Sequence, residues 1–132
     1  MACALLTAAG CGSSSDYKNQ PRPPSPIVLG TSIDASRVSV SPSSIGAGPV
    51  LLVITNQSPA ARSVTLQTDE INGTQSGITQ TTSPISPQGT AQLAAVLREG
   101  RYRVQVDASA VQPAELVVGP SRDSAQNQVL QP

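Results

Sequence analysis

The chain has 132 residues, the size of one ordinary domain rather than two. Eight Lys and Arg balance eight Asp and Glu, and charged residues make up only 12%, which leaves no basic field for nucleic acid and no acidic tail. There is no His, Trp or Phe, the only cysteines are Cys3 and Cys11, and the only methionine is Met1; zinc, haem, iron–sulfur and copper centres in a folded body are nearly excluded, and with His goes the usual acid–base group of neutral pH.

In chain order, Met1 to Gly10 is a short run of small and apolar residues that changes abruptly to Gly12-Ser-Ser-Ser15 after Cys11. That profile is the apolar core and small-residue cleavage zone of an export signal. No Lys or Arg precedes it and it is shorter than the about 15–30 residues of a full signal, so the expected start of translation lies upstream. Residues 11–32 read as a polar tether, with Pro21, Pro23, Pro24 and Pro26 favouring extended polyproline II over packed structure. Twenty such residues at about 3.1 Å each would span on the order of 60 Å.

The body, residues 33–120, reads as short β-segments. Val38 and Val40 alternate with serines as a half-buried strand. Pro49–Thr55 is a continuous apolar run, expected to be a central strand covered on both faces. Val64 and Leu66 alternate with polar residues, and Ile78–Thr82 reads as a weak edge. Thr90–Leu97 has the composition of a helix, yet its framing by Pro87-Gln-Gly89 and Glu99-Gly100 favours a strand. Tyr102, Val104 and Val106 alternate with Arg101, Arg103 and Gln105, and Ala114–Val118 closes the set. About seven short strands with Gly, Pro, Ser and Asn between them predict an all-β fold, a single antiparallel Greek-key sandwich. The tail, residues 121–132, is expected to be loosely ordered.

Asp69-Glu70 is the only adjacent carboxylate pair, and it reads as a solvated loop rather than an acid–base or Ca²⁺ site. Arg98, Arg101 and Arg103, with Arg62, form a small basic cluster that Glu99, Asp107 and Glu115 are placed to neutralise. Asn72-Gly-Thr74 reads first as a hairpin turn.

Two resemblances follow from these residues. Ala8-Ala-Gly-Cys11 resembles the lipobox of bacterial lipoproteins, although Ala8 stands where that family usually has Leu. The resemblance implies acylation of the Cys11 thiol and cleavage before it, which removes Cys3 and disfavours a Cys3–Cys11 disulfide. Val38-x-Val-x-Pro42, Gly46-Ala-Gly48 and Val53-Ile-Thr-Asn56 look like the opening of a cupredoxin-like domain. Leu97-x-x-Gly100-x-Tyr102 resembles that fold's turn into a late strand, a pattern shared with immunoglobulin-like sandwiches, where such a tyrosine ties its hydroxyl to nearby backbone. Copper cupredoxins place a His where Arg62 stands and a Cys where Val106 stands, and the loop Asp107–Pro113 carries neither the second His nor the axial Met.

The resulting expectation is a membrane-anchored extracytoplasmic lipoprotein, held through lipid on Cys11. Its metal-free, non-catalytic cupredoxin-like module would bind an unidentified protein or small molecule, with no cofactor and no nucleic acid. Rival expectations are a secreted structural or adhesion sandwich without an anchor and, further down, a carboxylate-dependent enzyme.

Overall fold

A computed structural model describes residues 22–71 and 77–124. Eight strands follow one another without a helix among the described residues: β1 Ile27–Ile33, β2 Val38–Ser41, β3 Ser44–Asn56, β4 Val64–Ile71, β5 Thr79–Thr81, β6 Thr90–Leu97, β7 Gly100–Val106 and β8 Ala114–Ser121. The period-two pattern builds them. In β6 the exposed side chains of Gln92, Ala94 and Val96 alternate with the buried Leu93, Ala95 and Leu97, so a segment with helical composition is held as a strand by one buried face.

The strands form two layers, β2-β1-β3-β6 and β3-β8-β7-β4-β5, which share β3. The first residues of β3, Ser44–Ala47, pair with β8; after Gly48 it pairs with β1 and β6 instead. The chain turns this corner through a bulge at Gly46/Ala47 and through Gly48, whose φ is 138°. The backbone angle favours glycine there, and a Cβ would also lie 2.8 Å from Arg122 Nη2 and 3.1 Å from Pro24 Cγ, displacing the Arg122 side chain.

The sheets are mixed, which corrects the expected all-antiparallel arrangement. β1 runs parallel to β3, and the opening of β3 runs parallel to β8. The reason is topological. β1 and β2 form an antiparallel pair, the chain then crosses to the other layer, and the second leg of β3 returns along the free edge of β1 in the same direction as β1.

Three further expectations change. The tether does not extend to Ser32, because Ile27–Ile33 is a strand whose inward side chains, Leu29, Thr31 and Ile33, are buried. Gly30 and Ser32 dilute its apolar pattern; β2 pairs with its second half nearby, but the ladder that holds its full length runs to β3, more than twenty residues away. The tail does not begin at Ser121. β8 includes that residue, and Arg122 then anchors the chain, donating from Nε to the Gly46 and Ala47 carbonyls at 3.1 and 3.3 Å, from Nη1 to Ser25 O at 2.9 Å and from Nη2 to Pro49 O at 2.6 Å. Finally, β3 is covered on one face only. Val50, Leu52 and Ile54 are buried, whereas the outward Leu51, Val53 and Thr55 are half-buried, with no element of the described chain over them. Cys3, Cys11, the segment up to residue 21, the Asn72-Gly-Thr74 turn and residues 125–132 lie outside the described residues.

The core between the layers is aliphatic apart from Tyr102, with Leu29, Ile33, Leu52, Ile54, Leu66 and Leu116 fully enclosed. Without Phe or Trp it fills its volume from branched aliphatic side chains, which the pleated surface accommodates well.

Candidate functional site

Strand registers place Ile33, Asn56, Val64, Thr90 and Val106 at one end of the sandwich and Gly48, Leu97 and Gly100 at the other. The first end holds the positions that match copper ligands in the cupredoxin resemblance. Two connections close it: the chain between β3 and β4, and residues 107–113 between β7 and β8.

Asn56 organises the first connection. Its side chain is fully buried and uses all its hydrogen-bonding capacity. Nδ2 donates to the Ala60 and Ile85 carbonyls, both at 2.8 Å, and Oδ1 accepts from Ser58 N–H at 3.0 Å and Ser58 Oγ–H at 2.6 Å. Its backbone N–H donates to Gly89 O, and its carbonyl accepts from Gln88 N–H, where Gln88 takes a φ of 63°. One amide thus joins its own turn, residues 56–60, to the distant segment at Ile85. The Asn-x-Ser pattern at a strand end carried a turn signal. The partner at Ile85 had none.

Arg62 follows this turn and forms an antiparallel bridge with Ile85, N–H to O in both directions at 3.1 and 2.8 Å. Its Nε is buried without a hydrogen-bond partner. Val106 sits opposite Val64, half-buried. The Asp107–Pro113 loop is mostly exposed but docks through one apolar side chain and its backbone. Val111 is buried, and Gln112 bonds through its backbone to Ser36 O and Val38 N–H. Residues that hold a metal in a blue-copper centre are thus replaced by a cation, an aliphatic side chain and backbone pairing. Among the described residues no group of three or more His, Cys, Asp or Glu comes together.

At the opposite end Tyr102 is buried. Its hydroxyl donates to Arg98 O at 2.9 Å and accepts from Arg98 N–H at 3.0 Å. Leu97 is enclosed beside it, and Gly100 opens β7 with a φ of 155°.

The arginine cluster is divided. Arg101 and Arg103 share the outer face of β7, with Arg101 Nη1 3.3 Å from Glu115 and Arg103 Nη2 2.8 Å from Asp69. Arg62 is not part of this face, since it stands at the other end. Asp69-Glu70 is not a loop either: both belong to β4, and Asp69 is the extra residue of a bulge between Thr68 and Glu70. That bulge places its carboxylate on Arg103. Both partners are about two-fifths exposed, so the pair contributes about 0–1 kcal/mol.

No family model and no curated protein sequence matches the chain. Among solved structures it is similar to auracyanin A, a "blue" copper protein from Chloroflexus aurantiacus, at 12% identity and a TM-score of 0.50, covering 70% of this chain and 99% of that one. It is also similar to a reduced Cu(I) form of an amicyanin variant (12% identity, TM-score 0.42, 70% of this chain and 81% of that one). A Cu-containing nitrite reductase from Thermus scotoductus matches at 11% identity and a TM-score of 0.45, over 79% of this chain and 29% of that one. A blue-copper centre needs two imidazoles and a thiolate, usually with an axial thioether. The chain contains no His, and Cys3, Cys11 and Met1 all precede the described residues, so this donor set does not fit here. What the likeness to auracyanin A establishes is the fold, a cupredoxin-like β-sandwich.

Proposed function

We propose that this chain is a lipid-anchored extracytoplasmic protein whose folded part is a metal-free, non-catalytic binding module on a cupredoxin-like sandwich. The observation that carries the second half is the first end of the sandwich. Arg62 takes the place of a ligand His, Val106 that of the ligand Cys, and Val111 packs into the core from the loop that would bear the remaining ligands. A guanidinium beside a metal cation is repulsive, and a valine offers no lone pair, so this end supports packing instead of coordination. The anchor rests on Ala8-Ala-Gly-Cys11 and the polar residues after it.

Two measurements test the reading. Cells grown with radiolabelled palmitate should label the wild-type chain and leave Cys11→Ala unlabelled. Label on the variant, or on neither, removes the anchor and leaves a secreted sandwich. The full chain carrying Cys3→Ser and Cys11→Ser should show no stoichiometric binding of Cu(II) or Zn(II) at micromolar concentration by titration calorimetry. A stoichiometric site at that concentration refutes the metal-free module.

A further inference from the structure

The strands that border the two layers are closed off differently. β2 has four residues and is followed by Pro42. β5 has three residues, and Pro84 follows shortly after it. Shortness and proline are common protections of an exposed sheet edge. β6 has neither. It is eight residues long, carries no charge and no proline, pairs among the described residues with β3 alone, and keeps an unbroken register from Thr90 to Leu97.

The direction of its free backbone groups follows from the ladder. Asn56 N–H donates to Gly89 O, and bonded pairs recur at every second residue of an antiparallel ladder. Ala91, Leu93 and Ala95 therefore exchange bonds with β3, and the N–H and C=O groups of Thr90, Gln92, Ala94 and Val96 point away from it. Beyond the β3 ladder, no backbone hydrogen bond reaches these four residues among the described residues. A groove of about 820 Å³ between Thr90–Ala94 and residues 80–86 keeps the edge accessible, and no charged side chain lines it.

The side chains of the same four residues lie on the outer face of the layer, with Val96 70% exposed. Leu51 and Val53 of β3 lie beside them, and Val28 of β1 beyond is 57% exposed. No outward position of β1, β2, β6 or the second leg of β3 carries a charge. The other layer is the opposite case, with two ion pairs across its outer face.

We propose that β6 is the edge along which two copies of this chain associate, antiparallel about a two-fold axis. A two-fold interface sets a surface against itself, so it must complement itself. A charged edge would oppose like charges, whereas an uncharged strand with free N–H and C=O groups meets its own partners. With the axis at Leu93, Gln92 faces Ala94 and Thr90 faces Val96 of the second copy. This register pairs all four sets of free groups and joins two four-stranded layers into one of eight. The inference stands whether or not Cys11 is acylated.

Sedimentation velocity on the full chain, in reductant so that Cys3 and Cys11 cannot cross-link, should show a concentration-dependent dimer. Ala94→Lys, which sets two cations near the axis on an exposed position, should weaken association about tenfold or more. Gln92→Pro should do the same, because it removes an N–H that points toward the second copy and none from the β3 ladder. Thr79→Lys, on the β5 edge and outside the groove, should leave the dimer unchanged. Hydrogen exchange at the Gln92, Ala94 and Val96 amides should slow as concentration rises. A monomer up to near-millimolar concentration, a dimer indifferent to Ala94→Lys, or concentration-independent exchange at those amides would overturn the proposal.

Discussion

The two ends of the sandwich are each tied by one buried side chain, and the two ties differ in reach and in kind. Tyr102 bonds to Arg98, four residues away, and contributes a ring to a core that is otherwise aliphatic. Asn56 donates from Nδ2 to Ala60 nearby and to Ile85 across 29 residues, while its Oδ1 accepts from Ser58. One tie is mainly packing with a hydrogen bond added. The other is hydrogen bonding alone, and no apolar substitute can replace it. The lesson is that equal burial does not imply equal tolerance: the first site needs volume, and the second needs every donor and acceptor in place.

Substitutions at the two ends test that contrast. Tyr102→Ala should have the largest effect, opening a cavity and destabilising by about 3–5 kcal/mol, a large share of the about 5–15 kcal/mol that holds a domain together. Asn56→Asp keeps the size of the side chain but replaces the doubly donating Nδ2 with a single oxygen that faces the Ala60 and Ile85 carbonyls. Both carbonyls keep a second donor, Ser58 Oγ–H and Arg62 N–H, so the cost is two lost hydrogen bonds plus a new buried oxygen without a donor at about 1–3 kcal/mol; the loss should be about 2–5 kcal/mol by chemical denaturation. Tyr102→Phe keeps the ring and should lose only about 1 kcal/mol. The two near-isosteric changes decide the matter. If Asn56→Asp is as mild as Tyr102→Phe, the ends are alike and the distinction fails.

A third side-chain tie, on an exposed turn, sets the lower limit of the series. Asp34 Oδ1 accepts from Ser36 N–H at 2.7 Å, Ser36 Oγ–H at 2.8 Å and Arg37 N–H at 2.8 Å. The Ser36 backbone N–H, followed by that of Arg37, holds its carboxyl below the ordinary carboxylate value. A depressed carboxylate pKa stabilises the fold above the unfolded value, near 3.9, and that contribution is lost as pH falls through the folded value. Asp34→Asn should therefore be slightly less stable than wild type at neutral pH, and the difference should vanish in acid below the folded value. A difference that persists there, followed by denaturation across pH, would remove the carboxylate from the account.

How much was legible in the sequence follows the same division. Leu97-x-x-Gly100-x-Tyr102 could be read because the turn, the glycine and the acceptor lie within six residues. The β6 strand could be read because breakers framed it on both sides. Asn56 was visible as part of a motif, but its role was not, because Ile85 lies in another loop. Asp69 was misplaced in a loop because a bulge partner is defined by the neighbouring strand and not by the residues around it.

The sequence by itself determined the all-β class, the aliphatic core and the absence of a blue-copper donor set from the described residues, because composition and period-two alternation are local properties of a chain. Tertiary structure alone decided that Ile27–Ile33 belongs to the sheet, that Arg122 anchors four carbonyls from three separate residues of β3 and from Ser25, and that β6 has an uncharged edge left open among the described residues. Each of these depends on which strand lies beside which. That order is set by burying inward faces against one another across long stretches of chain, and no short window of residues records it.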